Sequence, residues 1–385
     1  MFLLLLGACG TPLAPVTVDT GDTGDTGDTG DIEGAYGFPF GDTILDFGLA
    51  LDADALAALA ADPRTDVYGI FTFNDESYDV GVHLKGSASF QDMSGKPSFK
   101  IDFHQWTPDQ RFHDLERLTL NAMVQDASMS SEHAAYKLYA ALGLTAPRHG
   151  YAQVSVNGEL YGLYGVVEPL DEHFINRHFD DDSGNLYEGG YGADILDGRA
   201  DNFEIAEQGL PENRVDLQAL IDAVDASTPS TYFSVLSANF NTDALLDQWA
   251  AELVSSNSDA YTTLANNYFL YHEPTTARWT MIPWGSDQAF IDDLDVHASY
   301  YGRMAQRCAE APDCAARLDE RMAHVLDVWQ SEDLVGFVAA ETARIEDACR
   351  TDPRSPWGDY GCRDAQAAMR DWTAARPGIV RSTLP

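Results

Sequence analysis

Residues 151–156 and 160–167 are two apolar runs separated by Asn157-Gly158. An Asn-Gly pair between such runs is a two-residue turn that brings the flanking strands together antiparallel. A second hairpin is predicted for 67–73 and 78–82 around the turn-forming Asn74-Asp75, and the span from about 35 to 112 is strand-rich. A short helix over 53–61 interrupts it and is stopped by Pro63. Around Glu132 the period changes. Ala135, Leu138, Tyr139 and Leu142 fall at i, i+3, i+4 and i+7, one apolar helix face that Gly143 ends. Beyond the Asn-Gly hairpin the remainder is mostly helical. One helix carries Leu246, Trp249, Ala250 and Leu253, and others are predicted near 315–329, 334–348 and 364–374. A further hairpin, 268–271 with 279–282, interrupts them. The order is β-rich first and helical second, an α+β layout.

Acidic residues number 62 against 23 Lys and Arg, a formal net charge of −39. This excludes nucleic-acid binding through a general electrostatic footprint. A polyanion such as ATP would need a local basic patch and a divalent cation. The chain has only four lysines, and Lys85, Lys96 and Lys100 fall within sixteen positions. A lysine is a compact charge with three rotatable donors and a common phosphate ligand. Here the lysines surround Gly86-Ser87-Ala88-Ser89-Phe90: an apolar strand, a small-residue turn, and a second strand carrying lysine. That arrangement suits phosphates cradled over a sheet. The plainer alternative is a lysine-rich hairpin with solvated charges.

Leu6-Gly7-Ala8-Cys9 resembles a bacterial lipobox, whose cysteine becomes lipidated. The apolar run before it is too short to span a bilayer, and no Lys or Arg precedes it. Residues 1–9 are expected to be a lipoprotein signal segment. Asp-Thr-Gly then repeats between about 17 and 31. With little apolar surface to bury and with mutually repelling charges, residues 10–34 are expected to form an extended spacer. Together these segments predict a lipid-anchored, extracytoplasmic protein of a bacterial envelope, held to the membrane through Cys9. The remaining cysteines, Cys308, Cys314, Cys349 and Cys362, are even in number. In an exported chain their spacing favours two local disulfides over a zinc site, with cross-pairing left open.

Four motifs occur in order. They are "KGSASF…KPSFKIDF" from Lys85, "LTLNAMVQDASMSSE" ending in Glu132, "VNGELYGLYGVVE" ending in Glu168, and "IPWGSDQAF" from Ile282. Between the last two lie Asn257-Ser258-Asp259 and Asn266-Asn267. In this order they resemble the CotH family of protein-kinase-like proteins, over roughly residues 44–290. The resemblance implies a bilobal atypical protein-kinase-like fold over 35–385. A β-rich N-terminal lobe would cover about 35–168 and a mainly helical C-terminal lobe about 169–385. ATP, with Mg2+ or Mn2+, would bind between them. Gly86, Ser87 and Ser89 would form the phosphate-covering turn, with Lys85 beside it. Lys100 would hold the α/β-phosphates, with Glu132 as its ion-pair partner. Residues 166–168 would run near the adenine, which places Glu168 at the nucleotide. Asp259 would be the catalytic carboxylate that orients the acceptor hydroxyl, and Asn267 and Asp287 the metal ligands.

Phosphoryl transfer rests on positioning and charge neutralisation. Mg2+ takes hard oxygen ligands, one or two of them from protein. The residue types suit that chemistry, and each also has a plainer reading. Asp259 and Asp287 would serve as caps or turn residues, and Glu132 would form a surface ion pair. Asn267 would close a strand edge, with Asn266 an equal candidate for its role, and Lys85 and Lys96 would be peripheral. Many relatives carry Asp-x-Asp after Pro-Trp, whereas Gly285 stands first here. The resemblance implies an extracytoplasmic kinase acting on Ser or Thr of a surface or secreted protein. A pseudokinase or envelope scaffold is the competing reading, and transfer of the AMP moiety a third.

Overall fold

The computed structural model describes residues 37–207 and 214–385. The lipobox-like segment and the Asp-Thr-Gly tract lie outside the described residues. In chain order come β1 (Ile44–Ala50), α1 (Ala53–Ala61), β2 (Val67–Phe73), β3 (Glu76–Lys85), β4 (Ser98–Asp102), β5 (Arg117–Asn121), α2 (Ser131–Ala141), β6 (His149–Val156) and β7 (Glu159–Val167). The seven strands close a barrel in the order β1-β2-β3-β4-β5-β7-β6. The expected hairpins are β2–β3 and β6–β7. Asn157 and Gly158 both adopt positive φ at the second turn, the conformation such a turn requires. Closure comes from β6 lying parallel to β1, with Ile44 beside Tyr151 and Leu49 beside Val156.

Alternation sets the barrel core. Val67, Phe71 and Phe73 of β2 are buried. Phe71 meets Phe47, Phe103 and Phe112 at ring separations of 4.9, 5.2 and 5.2 Å. Tilted and edge-on contacts of this kind suit the aromatic quadrupole. The turn at Asn157 is tied to the strand opposite. Its side chain accepts from Leu51 N and donates to Leu51 O, both at 2.8 Å.

The rest of the chain supplies α3 (Glu172–His178), β8 (Leu186–Gly189), β9 (Glu204–Glu207), α4 (Val215–Ala226), α5 (Tyr232–Asn239), α6 (Thr242–Val254), α7 (Tyr261–Leu264), β10 (Tyr268–Glu273), β11 (Arg278–Pro283), α8 (Arg303–Glu310), α9 (Pro312–Ser331), α10 (Leu334–Arg350) and α11 (Gly358–Arg381). The β10–β11 hairpin matches expectation. It joins a four-stranded sheet, β11-β10-β8-β9, whose last two strands were not foreseen. Each has four residues, too few to display a period of two. Every residue of α6 from Leu245 to Val254 is buried, and α9 packs on it. The fold is mixed α+β. Among the described residues no helix is long and apolar enough to cross a membrane.

Disulfides join Cys308 to Cys314 and Cys349 to Cys362, the local pairing. The connection from α10 to α11 docks on the barrel at β7. Asp352 Oδ2 accepts from Leu163 N at 2.9 Å and from Lys96 Nζ at 2.6 Å. A Cβ on Gly162 would lie 2.2 Å from Asp352 Oδ1, so only glycine admits the carboxylate here.

Candidate functional site

The β10–β11 ladder sets the first part of the site. Trp284 N donates to Asn267 O at 3.1 Å, extending the ladder beyond Tyr268 and Pro283 and setting Gly285 beside Asn267. Gly285 has φ 54°, and a Cβ there would lie 3.1 Å from Asn267 Cγ. An aspartate at 285 would carry left-handed strain and press on Asn267. Asn267 Nδ2 donates to Asp259 Oδ2 at 2.8 Å and to Asp259 O at 3.0 Å. Asn266 Nδ2 donates to Asp259 Oδ1 at 2.9 Å. Both asparagines therefore orient one carboxylate. Backbone bonds then pin the segment before Asp259 to the one after Asp287. Ser258 N reaches Gln288 O at 3.2 Å, and Phe290 N reaches Ser255 O at 2.8 Å.

Helix α2 supplies the second part. Asp126 caps its start, accepting from Ser131 N at 2.8 Å and from Ser128 N at 2.8 Å. Glu132 is buried. It accepts from Asn121 Nδ2 at 2.8 Å and from Tyr136 Oη at 3.2 Å. Tyr139, further along the helix, reaches Ser286 Oγ at 3.4 Å. The helix thus touches the 285–287 turn directly.

These parts gather charge that the chain does not balance. Asp287 is only 9% exposed. Burial pushes its carboxyl well above the usual carboxylate range, Glu132 and Asp126 add to that, Lys85 opposes it, and Asp259 adds again. Burial likewise raises Glu132, with Lys85 the main opposing influence. Burial pushes the half-buried Lys85 ammonium down, Glu132 holds it up, Lys100 lowers it, and Asp287 and Glu188 support it. Lys85 Nζ lies 5.5 Å from the centre of the Trp284 ring. The Lys85 ammonium is shared among Glu132, Asp287 and Glu188, and Lys100 also acts on Glu188. A divalent cation would relieve that excess of carboxylate. The hard oxygen donors at hand are the Asp287 carboxylate and Asn267 Oδ1, which accepts no hydrogen bond among the described residues.

The structure therefore brings Lys85, Glu132, Asp259, Asn267 and Asp287 together. The cation acting on Glu132 is Lys85, where the sequence pointed to Lys100. Lys100 pairs with His83 across β3–β4, so it shares the face of the sheet that carries Lys85. It is exposed, and its charge acts on Glu188 of β8. Lys96 leaves the group altogether for Asp352. Gly86 follows Lys85 with φ 109°, and Phe90 N closes a turn on Ser87 O at 3.2 Å; Ser87 is exposed and Ser89 half-buried. The Glu168 carboxylate is committed elsewhere. It accepts from Arg148 Nη2 at 2.9 Å, Arg148 N at 3.0 Å and Arg177 Nη2 at 2.5 Å.

Sequence reasoning missed Asn121, Tyr136, Asp126, Glu188 and Glu252. Asn121 and Asp126 lie inside a motif already quoted, but nothing in the spacing assigned them work. Glu252 is buried beneath the Asp259 segment, accepting from Gln248 Nε2 at 2.9 Å and Thr262 N at 3.0 Å. Burial pushes its carboxyl up to about 7, against those hydrogen bonds. A separate grouping, Asp42, His133 and Glu341, brings three donor atoms together, but Arg344 already pairs with Glu341 there.

Comparison with known proteins agrees with the motifs. Residues 82–380 match the family model described as CotH kinase protein. Inner spore coat protein H of Bacillus subtilis (strain 168) is 24% identical over 241 residues, 59% of this chain and 63% of that protein. The chain thus spans a little under two thirds of that relative's length. The crystal structure of a Helicobacter pylori proinflammatory kinase, CtkA, aligns over 83% of this chain and 92% of that one. The identity is 9% and the TM-score 0.29, too low for the two folds to be equated.

Proposed function

The chain belongs to the CotH kinase family, and from that premise we propose that it transfers the γ-phosphoryl group of ATP to a Ser or Thr hydroxyl of a surface or secreted protein. The fold is read as bilobal and kinase-like, with the barrel as one lobe, the region from α3 onward as the other, and the nucleotide between them. The observation that carries this reading is the buried Asp287 carboxylate among Glu132, Asp126 and Asp259, with Lys85 as the facing cation. The donor set suits a hard cation: Asp287 and Asn267 would hold Mg2+ or Mn2+, which when bound neutralises charge on phosphate oxygens.

The remaining roles follow from the chain's own contacts. Lys85, at the end of β3 beside the Gly86 turn, holds the α/β-phosphates, and Glu132 is its counter-charge. Asn121 and Tyr136 keep Glu132 in place. Lys100 stands nearby, with Glu188, as a second positive charge. Asp259, oriented by Asn266 and Asn267, accepts the proton of the acceptor hydroxyl. That oxygen forms a bond to the γ-phosphorus, the bridging bond to the β-phosphate breaks, and ADP leaves with the electron pair. The name of the Bacillus relative, a spore coat protein, and the lipobox-like segment ending in Cys9 support work outside the cytoplasm.

Purified protein with Mg2+ and labelled ATP is expected to label Ser or Thr of an acceptor. Asp287→Ala is expected to lose roughly 10²–10³-fold in transfer rate. Equal labelling by both proteins would remove the metal role from Asp287. One observation favours a second reading, a pseudokinase or scaffold: Gly285 leaves Asp287 as the sole carboxylate of its turn. A midpoint raised by Mg-ATP without transfer to any acceptor would select that reading.

A further inference from the structure

A cavity of about 380 Å³ lies against α2, between residues 143–149 and the end of α3. Lys85, Asp259, Asn267 and Asp287 do not line it. No acidic residue lines it either, in a chain with 62 acidic residues against 23 basic ones. Lys137 of α2, Arg148 and Arg177 of α3 converge there with His149 and His178. Lys137 and Arg177 each meet a carboxylate from outside the lining, and Glu132 and Glu341 stand beside His149 and His133. Glu168 accepts from Nη2 of each arginine and from the Arg148 backbone N. Glu332, half exposed, meets Lys137 at 3.5 Å, and water screens that pair. Burial first, and then the Arg177 guanidinium, hold His178 down at about 4, with Glu168 opposing them. His149 is buried, and its Nε2 has no hydrogen-bond partner, with Glu132 Oε2 3.9 Å away.

We propose that this cavity binds a small phosphomonoester and that its occupancy bears on the position of α2. Arg177 gives Glu168 only Nη2, and Lys137 is a point charge with rotatable donors. Such single donors from separate elements suit the several oxygens of a tetrahedral phosphate. The volume is that of a small-molecule site, larger than phosphate alone fills. Ala140, Leu144, Ala146 and Pro147 provide apolar wall for an organic group. The link to α2 is Tyr136, which lines the cavity and donates to Glu132 Oε1 at 3.2 Å. Binding stands apart from the kinase reading; only the effect through Glu132 rests on it.

Isothermal titration of the intact chain without nucleotide tests the site, using glucose 6-phosphate, inorganic phosphate and glucose. Glucose 6-phosphate is expected to bind more tightly than inorganic phosphate, and glucose not at all. Each lost charge-assisted bond is worth roughly tenfold, so the Lys137→Gln, Arg177→Gln double variant is expected to bind roughly 100-fold more weakly. Lys85→Met is expected to bind as the parent does. Lys137 and Arg177 side chains are 24% and 37% exposed, and an unchanged thermal midpoint would show that the double variant folds. No binding of either phosphate at millimolar concentration overturns the proposal. So does binding that Lys85→Met abolishes and the double variant keeps, which would put the phosphate in the nucleotide cleft. Inorganic phosphate binding as tightly as glucose 6-phosphate overturns the phosphomonoester assignment. Mg-ATP affinity that glucose 6-phosphate alters in the parent but not in the double variant supports the link to α2. Affinity unaltered in the parent overturns that link, whether or not transfer is ever detected.

Discussion

Lys96 and Lys85 flank the same connection between β3 and β4, yet they sit in opposite electrical situations. Lys96 is fully buried, and its partners are complete within the chain. Its ammonium meets Asp352 Oδ2 at 2.6 Å, Leu163 O at 2.7 Å and the Tyr164 ring at 5.0 Å. Asp352 also accepts from Leu163 N and from Arg354 N, both at 2.9 Å. Lys85 is half-buried and makes no hydrogen bond or direct ion pair among the described residues. Burial lowers both ammonium groups; Asp352 opposes it at Lys96 and Glu132 opposes it at Lys85. A buried charge satisfied on every side holds a fold together. A charge outnumbered by carboxylates that it does not touch leaves room for something the chain does not contain.

Breaking each side in turn tests the contrast. Lys96→Met strands a buried carboxylate and is expected to cost about 3–5 kcal/mol in urea denaturation. Lys85→Met removes no direct bond and is expected to cost about 1 kcal/mol, while abolishing nucleotide binding. Equal losses from the two variants would end the comparison.

Glu252 is a third buried charge, bonded but without a cation. Its carboxyl is raised from 4.5 to about 7, so the folded state binds the proton more tightly than the unfolded chain. Its contribution to stability is fully present below the unfolded value near 4.5 and is lost as pH rises through about 7. Glu252→Gln is expected to remove that loss, gaining roughly 2–3 kcal/mol over the parent at pH 8 and little at pH 4. A constant difference between the two proteins across that range would contradict it. An effect as small as that at Lys85, and opposite in sign, is expected at Asp287. Asp287→Asn relieves repulsion from Glu132 and Asp126 and should raise stability by about 1 kcal/mol while removing transfer. A lower denaturation midpoint for this variant would mean that Asp287 is held by bonds of structural worth.

Legibility followed locality. Helix α1 spans 53–61 as its pattern indicated, and α2 begins one residue before Glu132. Helix α11 runs through Pro377 to Arg381, past the 364–374 stretch, because its later turns are anchored by packing rather than by composition. Barrel closure through β1 and β6 left no trace in either strand, since parallel pairing across about a hundred residues has no turn signal. At the site, Asp259, Asn267, Glu132 and Asp287 were legible as motif positions. The choice of lysine was not.

Local chemistry alone determined the hairpins, the main helices and the motif positions that the fold gathers around Lys85. Turn conformation and apolar period act over a few residues, and the amino-acid order carries them directly. Only the tertiary structure decided which lysine faces Glu132, which one is spent on Asp352, and where Glu168 points. Three identical ammonium groups in one short span differ by nothing except what the folded chain places opposite them. For Lys96 that partner comes from 256 positions away.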